Sequence, residues 1–284
     1  MIPVILGLSG PVLLPSERDL LRAYPPRGVI LFGRNIVEPG QLAALVVDLR
    51  DVLRPDAVLM VDQEGGRVAR LRPPHWPELG PAGALADADA AYAHGLALGQ
   101  MVRAAGFDVA ASPVLDVRHE GASDVIGDRA FGRDPAMVAA LGARVAAGIM
   151  AAGVIPVMKH IPGHGRAMLD SHLALPRVEA TDLTGEFYPF RQNRDIPWAM
   201  TAHVVFAAYD PVHPATISKI VIAEVIRGII GFSGVLVSDD LAMQALRGTP
   251  LKRAQAALRA GCDIALYCPG DMAGNRAILE GLSA

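Results

Sequence analysis

The sequence predicts an α/β protein, a single-domain (β/α)8 TIM barrel that spans residues 1–284. Eight short apolar runs follow one another along the chain, and each is continuous rather than alternating, as in parallel strands buried on both faces. Amphipathic segments with helical spacing separate most of these runs. The length is close to the roughly 250 residues of such barrels. A doubly wound open sheet is the alternative, and eight strand–helix units favour closure.

The predicted strands are the runs at 3–9, 28–33, 57–62, 107–112, 154–160, 197–203, 234–239 and 262–268. No basic segment precedes the first run, and Gly7, Gly10 and Pro11 interrupt the apolar stretch to which it belongs. We therefore expect a buried strand and a turn there rather than a secretory signal or a membrane span. No later segment reaches the roughly 18 apolar residues of a membrane helix.

The predicted helices rest on spacings of three and four residues. Leu42, Leu45, Val46 and Leu49 recur at such spacings. A second series has the same spacings, and Gly231, which follows it, ends the predicted helix. That second series is Ile222, Val225, Ile226 and Ile229. Further helices are predicted around Met137, Leu141 and Val145 and over residues 88–105 and 251–260.

Composition excludes several classes of partner. The chain is 52% hydrophobic with a formal net charge of −3, and it has no basic stripe with interleaved aromatics. Neither nucleic acid nor an anionic membrane is therefore an expected partner. Cys262 and Cys268 lie six residues apart on one predicted strand, roughly 20 Å, which is too far for a disulfide. We expect a cytoplasmic protein, and a monomer.

Titratable groups stand at the carboxyl ends of four predicted strands. In a barrel of this type the active site is built at that rim. The opposite rim shows no comparable pattern. The groups are Asp62, Lys159 with His160, His203, and Asp239 with Asp240.

The run KHIPGHGRAMLDSH, residues 159–172, contains three of the eight histidines. Its Pro-Gly-His-Gly segment cannot continue the strand, so a shaped loop follows. Asp170 and His172 are two residues apart, and the carboxylate could fix the imidazole tautomer and raise its basicity. A solvated loop and a metal site are alternatives, but the H-x3-H-x7-H spacing matches no zinc signature. The neighbouring strand ends favour proton transfer, without metal or cofactor.

Motifs along almost the whole chain closely resemble family 3 glycoside hydrolases, and within them the bacterial β-N-acetylglucosaminidases of peptidoglycan recycling. KHxPGHG followed by DSH is highly specific for that branch, and the resemblance covers residues 5 to 268. Ile161 stands where phenylalanine is usual. The motifs are LGLSGPVLLPSERDLL, GVILFGRNI, VDQEGGRVARL, IGDRAFGRDP, KHIPGHGRAMLDSH, TAHVVF, PATIS and GVLVSDDLAM.

The resemblance implies a retaining mechanism in which Asp239, directly after the serine of the SD motif, is the nucleophile. Asp240 is the rival, with a backbone cap or a partner to an arginine as its alternative role. His172, assisted by Asp170, is the implied general acid and base. An imidazole titrates near pH 6.5, so it can protonate the leaving sugar and then deprotonate water.

The resemblance also implies a set of substrate-binding residues. Carboxylates accept hydrogen bonds from sugar hydroxyls, whereas arginine and lysine only donate them. Structural roles remain as alternatives for some residues. Arg129 could pair with Asp128 or Asp134 on the surface. Asp116 and Arg67 could belong to the structure of the barrel rim, and His164 could stabilise the loop. Trp76 and Trp198 could stack on sugars or belong to the core. The implied set is Asp62, Arg70, Arg129, Lys159 and His160.

We therefore expect an exo-acting hydrolase that removes terminal β-linked N-acetylglucosamine from muropeptide fragments. A glycoside phosphorylase is the nearest enzymatic alternative, because a histidine acid/base tolerates anionic phosphate better than a carboxylate does. A broad β-glucosidase is disfavoured, since those relatives usually carry a second domain. A non-catalytic sugar-binding barrel is the alternative from another class.

Overall fold

A computed structural model describes residues 1–167 and 175–283. Within these residues, eight parallel strands close into a barrel in the order β1-β2-β3-β4-β5-β7-β9-β10, and β10 pairs with β1. Two further short strands, β6 and β8, pair with each other beside it. The strands are β1 (Ile2–Gly7), β2 (Pro26–Leu31), β3 (Val58–Val61), β4 (Val109–Ala110), β5 (Ile155–Ile161), β6 (Arg177–Val178), β7 (Trp198–Thr201), β8 (Val205–Phe206), β9 (Val235–Asp240) and β10 (Ile264–Tyr267).

A helix follows each barrel strand, which confirms the predicted (β/α)8 barrel. In the described part of the chain, none of the helices is long and apolar enough to cross a membrane. The α-helices are α1 (Pro15–Ala23), α2 (Pro39–Val52), α3 (Ala88–Ala104), α4 (Pro135–Ala151), α5 (Thr184–Gln192), α6 (Pro250–Ala260) and α7 (Met272–Ser283), and a π-helix covers Val221–Ile229.

The apolar core has two layers. One fills the barrel and includes Ile5, Met60 and Val157, all completely buried. Trp198, at the start of β7, is 4% exposed and belongs to this inner layer, so it is a core residue. The other layer lies between the barrel and its helices, where Leu42 and the rest of the buried face of α2 pack. Because both faces of every barrel strand are covered, the runs are apolar without alternation.

The structure differs in detail from three of the predicted elements. The strand predicted over 107–112 pairs only at Val109–Ala110, because the chain turns at Ser112, whose N–H donates to the carbonyl of Ala110. The predicted helix at 222–229 is a π-helix, in which the N–H of Ile230 reaches back five residues to Val225. Met137 is exposed, because the buried face of α4 begins one residue later at Val138.

Candidate active site

A cavity of about 180 Å³ opens at the carboxyl ends of the barrel strands. Six of the eight predicted site residues line it: Asp62, Arg70, Arg129, Lys159, His160 and Asp239. The other two, Asp170 and His172, lie outside the described residues. His164, Asp240, Cys268 and several apolar side chains, among them Phe32, Ile126 and Met243, complete the described lining.

Asp62, directly after β3, is held between two cations. The Nζ of Lys159 lies 2.7 Å from its Oδ1, and the Nη2 of Arg70 lies 2.7 Å from its Oδ2. Burial alone would raise the pKa of Asp62, but Lys159 and Arg70 outweigh burial and hold that pKa well below its usual value. Asp62 is therefore a carboxylate at neutral pH and can accept hydrogen bonds from hydroxyl groups.

Glu64 extends this cluster and was not among the predicted residues. Its Oε1 lies 2.6 Å from the Nζ of Lys159, and both of its oxygens accept from Arg129, at 2.9 and 2.8 Å. Arg129 thus pairs with a buried carboxylate rather than with Asp128 or Asp134. A signal existed, since Glu64 stands two residues after Asp62, and such spacing directs side chains to the same side of an extended chain.

These contacts shift the pKa values of the cluster in consistent directions. Burial opposes the charged form of each group, yet the pKa of Glu64 is lowered by Lys159 and Arg129. Against the same opposing burial, Asp62 and Glu64 raise the pKa of Lys159. The pKa of Arg129 is likewise raised, chiefly by Glu64. Asp62 and Glu64 are therefore negative, and Lys159 and Arg129 positive, at neutral pH.

The motif DQEGGRVAR positions Arg70 through a tight loop. The Oε1 of Gln63 accepts from the N–H groups of Arg70 and Leu71, at 2.7 and 3.0 Å. Gly65 has φ +111°, and a Cβ there would lie 2.3 Å from the carbonyl oxygen of Gly80. Only glycine fits that conformation and that approach, so the paired glycines let the loop fold back toward β3.

An irregularity in β5 explains how Lys159 and His160 both line the cavity. The pairing with β7 runs from Lys159 opposite Met200 to Ile161 opposite Thr201, which leaves His160 as an extra residue. In a regular strand neighbouring side chains point to opposite faces. A bulge of this kind re-aims one of them, and both side chains face the cavity.

His160 is held by Asp116, a completely buried carboxylate. The Nδ1 of His160 lies 2.7 Å from the Oδ2 of Asp116, and the N–H of His164 donates to its Oδ1 at 2.6 Å. Burial opposes ionisation of Asp116, but His160 and His164 keep its pKa below the ordinary value. Burial, together with His160, lowers the pKa of His164 to about 4, so this ring is neutral at neutral pH.

Asp239 and Asp240 end β9 in different environments. Asp239 accepts the N–H of Asp240 at its Oδ1, at 2.7 Å. Asp240 uses its own Oδ1 to accept the backbone N–H groups of Ala242 and Cys268, at 2.9 and 3.0 Å. Asp240 therefore fixes the turn after β9 to the end of β10, a backbone-capping role of the kind considered as its alternative.

The pKa values of these two aspartates move apart. Burial opposes ionisation of both, but His203 and His160 outweigh it and lower the pKa of Asp239. Burial dominates at Asp240, whose pKa is raised, and the neighbouring Asp239 adds to the effect. Adjacent carboxyl groups with diverging pKa values are suited to different tasks.

The two cysteines are free and buried, as expected. Within residues 1–167 and 175–283, no group of three or more His, Cys, Asp or Glu side chains is arranged to hold a metal ion.

Comparisons with curated proteins show close relatives. The β-hexosaminidase of Alkalilimnicola ehrlichii is 43% identical over 285 residues, an alignment that covers 94% of this chain and 80% of that protein. The β-hexosaminidase of Tolumonas auensis is 40% identical over 297 residues, covering 99% of this chain and 86% of that protein.

Solved structures share the fold. A family 3 β-N-acetylglucosaminidase from Paenibacillus sp. superposes with a TM-score of 0.91 at 35% identity, covering 99% of this chain. This chain spans only 56% of that protein's length. NagZ from Neisseria gonorrhoeae, in complex with N-trifluoroacetyl-D-glucosamine, superposes with a TM-score of 0.86 at 31% identity, covering 99% of this chain and 89% of that one.

The sequence-family model described as the glycosyl hydrolase family 3 N-terminal domain matches residues 15–283, nearly the whole chain. Barrel, cavity and relatives agree with that match. The chain therefore belongs to glycosyl hydrolase family 3, and it is a glycoside hydrolase of the β-hexosaminidase type.

Proposed function

We propose that this enzyme removes terminal β-linked N-acetylglucosamine from muropeptide fragments in the cytoplasm, with retention of configuration, and that residues 1–284 form a single catalytic domain. The observation that carries the proposal is that Asp239 shares one cavity with Asp62, Lys159 and His160. The proposed nucleophile and the proposed sugar-binding residues thus line one cavity at the rim where this fold builds its active sites. The names of the relatives support the sugar.

Asp239 is the proposed nucleophile. Its lowered pKa keeps it ionised at neutral pH, and the N–H of Asp240 holds one of its oxygens. The other oxygen attacks the anomeric carbon, the glycosidic C–O bond breaks, and His172 donates a proton to the leaving oxygen. Water then attacks the same carbon, His172 accepts its proton, and the bond to Asp239 breaks. Asp170 assists His172 in both steps.

The charged cluster is the proposed sugar-binding face. Asp62 accepts hydrogen bonds from hydroxyl groups, while Lys159, Arg70 and Arg129 donate. Each of these cations already has a carboxylate partner, so a neutral sugar can bind without leaving a buried charge uncompensated. The Asp116–His160 pair adds a fixed imidazole to this face.

The same pairing favours hydrolysis over phosphorolysis. Among the described residues, the lysine and both arginines that line the cavity are in ion pairs with Asp62 or Glu64. Phosphate would have to compete with those carboxylates, whereas water meets no such obstacle. Turnover assayed with added inorganic phosphate should release free N-acetylglucosamine only. Formation of the sugar 1-phosphate would identify a phosphorylase instead.

The central test is mass spectrometry after reaction with a mechanism-based fluorinated N-acetylglucosaminide. We expect one covalent label, on the peptide that contains Asp239. Asp239→Asn is the matched control and should take up none. A label on another residue would contradict the nucleophile, and no covalent label while the sugar still binds would favour a non-catalytic sugar-binding barrel. A natural muropeptide, compared with chitobiose, would then test the proposed substrate.

A further inference from the structure

Three buried side chains behind Asp239 have no part in the mechanism above. They are Thr201 and His203, from the motif TAHVVF, and Thr216, from PATIS, and all three are completely buried. The Oγ1 of Thr216 lies 2.8 Å from the Oγ1 of Thr201 and 2.7 Å from the Nδ1 of His203. The motifs come from different segments, and the barrel brings them into one hydrogen-bonded chain.

Both ends of this chain contact the backbone of the Asp239–Asp240 pair. The N–H of Asp239 donates to the Oγ1 of Thr201 at 3.2 Å. At the other end, the Nε2 of His203 lies 2.9 Å from the carbonyl oxygen of Asp240. Between these two anchor points lies the N–H of Asp240, which holds the carboxylate of Asp239.

The donors and acceptors of this network match. The carbonyl of Asp240 only accepts, so the Nε2 of His203 carries the hydrogen of that bond. The hydroxyl of Thr201 donates to Thr216, whose Oγ1 contacts the Nδ1 of His203 and lies 3.1 Å from the carbonyl oxygen of Ala202, an acceptor for its hydrogen. Thr201 then keeps a lone pair for the N–H of Asp239. Every member of the chain is satisfied, which a buried polar network requires.

The hydrogen-bonded network of Thr201, Thr216 and His203 begins where the pairing of β7 with β9 ends. The paired residues of β7 and β9 end at Met200 and Val237, two residues before Asp239. Strand pairing with β7 therefore leaves the backbone of Asp239 without support on that side. The side chain of Thr201, the next residue of β7, replaces the missing ladder bond.

We propose that Thr201, Thr216 and His203 form a positioning device, which fixes the nucleophile through hydrogen bonds to the backbone of Asp239 and of Asp240. The inference rests on the proposed role of Asp239. A rotation of the Asp239–Asp240 backbone would swing the N–H of Asp240 and move the carboxylate that it holds. The network acts on the backbone of Asp239 and Asp240 rather than on the carboxylate of Asp239.

Thr216→Val tests the device, because it keeps the shape of the side chain and removes the hydroxyl at the centre. We expect kcat, normalised to titrated active sites, and the rate of labelling by the fluorinated inactivator to fall together by about 10- to 100-fold. KM should stay within twofold, because no sugar-binding group moves. Thr216→Ser retains the hydroxyl and should recover both rates.

Ser218→Ala is the matched control. Ser218 lies two residues after Thr216 and is equally buried. Its hydroxyl hydrogen-bonds to Asp210 and not to Thr201, Thr216 or His203. It should lower the melting temperature and leave the normalised rates unchanged. Thr201→Val provides a second variant if Thr216→Val does not fold, and it should slow labelling in the same way.

The outcomes separate this inference from the proposed function. If the wild type is labelled at a residue other than Asp239, the proposed function fails. If the wild type is labelled at Asp239 but Thr216→Val and Thr201→Val react at the wild-type rate, only the positioning role fails. Equal losses in Ser218→Ala, or no recovery in Thr216→Ser, would also overturn it.

Discussion

The cavity has two walls that hold their carboxylates by different means. On the wall built from β3 and β5, Asp62 and Glu64 are in direct ion pairs with Lys159 and neighbouring arginines. On the wall built from β7 and β9, the carboxylate of Asp239 accepts from the backbone N–H of Asp240, and the backbone N–H of Asp239 donates to the hydroxyl of Thr201. One wall holds its carboxylates in direct ion pairs, whereas the other holds Asp239 through hydrogen bonds to backbone and hydroxyl groups.

The difference matches the tasks proposed for the two walls. A carboxylate shared between two cations is firmly ionised and oriented, which suits it to bind hydroxyl groups. Such pairing would weaken a nucleophile, because its electrons are already engaged. His203 and His160, and more weakly Lys159, lower the pKa of Asp239 through space. Separate walls thus let one cavity hold both kinds of carboxylate.

Removing the carboxylate of Asp239 should have the largest effect. Asp239→Ala is expected to reduce kcat by about 10⁴-fold or more, as losses of catalytic nucleophiles do elsewhere. Binding of N-acetylglucosamine, measured by calorimetry, should persist, because the charged wall is intact. Rates close to those of the wild type would contradict the assignment of Asp239 as the nucleophile.

His172→Ala comes next, since a general acid contributes about 10²- to 10⁴-fold. The loss should be close to that range for substrates with poor leaving groups and far smaller for activated aryl glycosides, which leave without a proton. Comparing kcat/KM for the two substrate classes measures it. Equal losses on both would show that His172 does not protonate the leaving oxygen.

On the charged wall, Glu64→Gln should cost stability. It leaves Arg129 without its buried counter-charge and Lys159 with Asp62 alone, and breaking a buried pair costs about 3–5 kcal/mol of unfolding free energy. Urea denaturation measures the change. Glu120→Gln is the control, because Glu120 is 89% exposed where it pairs with Arg133, and it should change stability by about 0.5 kcal/mol or less. Similar losses in both variants would contradict a special role for the buried cluster.

The smallest expected effect is on the pH dependence of stability. The folded-state pKa of Glu64 is lowered, so its contribution is complete above the unfolded-state pKa near 4.3 and is lost as pH falls through the folded value. Wild-type unfolding free energy should therefore fall between pH 5 and pH 3. Glu64→Gln should lose less unfolding free energy than the wild type over that interval. Parallel pH profiles would show that Glu64 does not titrate as the ion pair requires.

Local sequence predicted much of this molecule. Continuous apolar runs located all eight barrel strands, because a strand buried on both faces must be apolar throughout. Titratable residues at strand ends located the active rim, and Asp62, Lys159 and Asp239 do meet in one cavity. Each of these positions is marked by a titratable residue at the end of an apolar run, so it could be predicted without knowledge of the packing.

Tertiary structure alone decided which groups pair. Glu64 meets Arg129 across 65 positions of sequence, and Asp116 meets His160 across 44. Neither pairing leaves a periodic trace, because barrel closure, and not local spacing, sets these distances. The same holds for Thr201, Thr216 and His203, whose hydrogen bonds join two motifs only after the segment that follows β7 has folded back, where the N–H of Ala215 donates to the carbonyl of Val204. Sequence determined where charge and hydroxyl groups emerge from the barrel, and folding determined which of them meet.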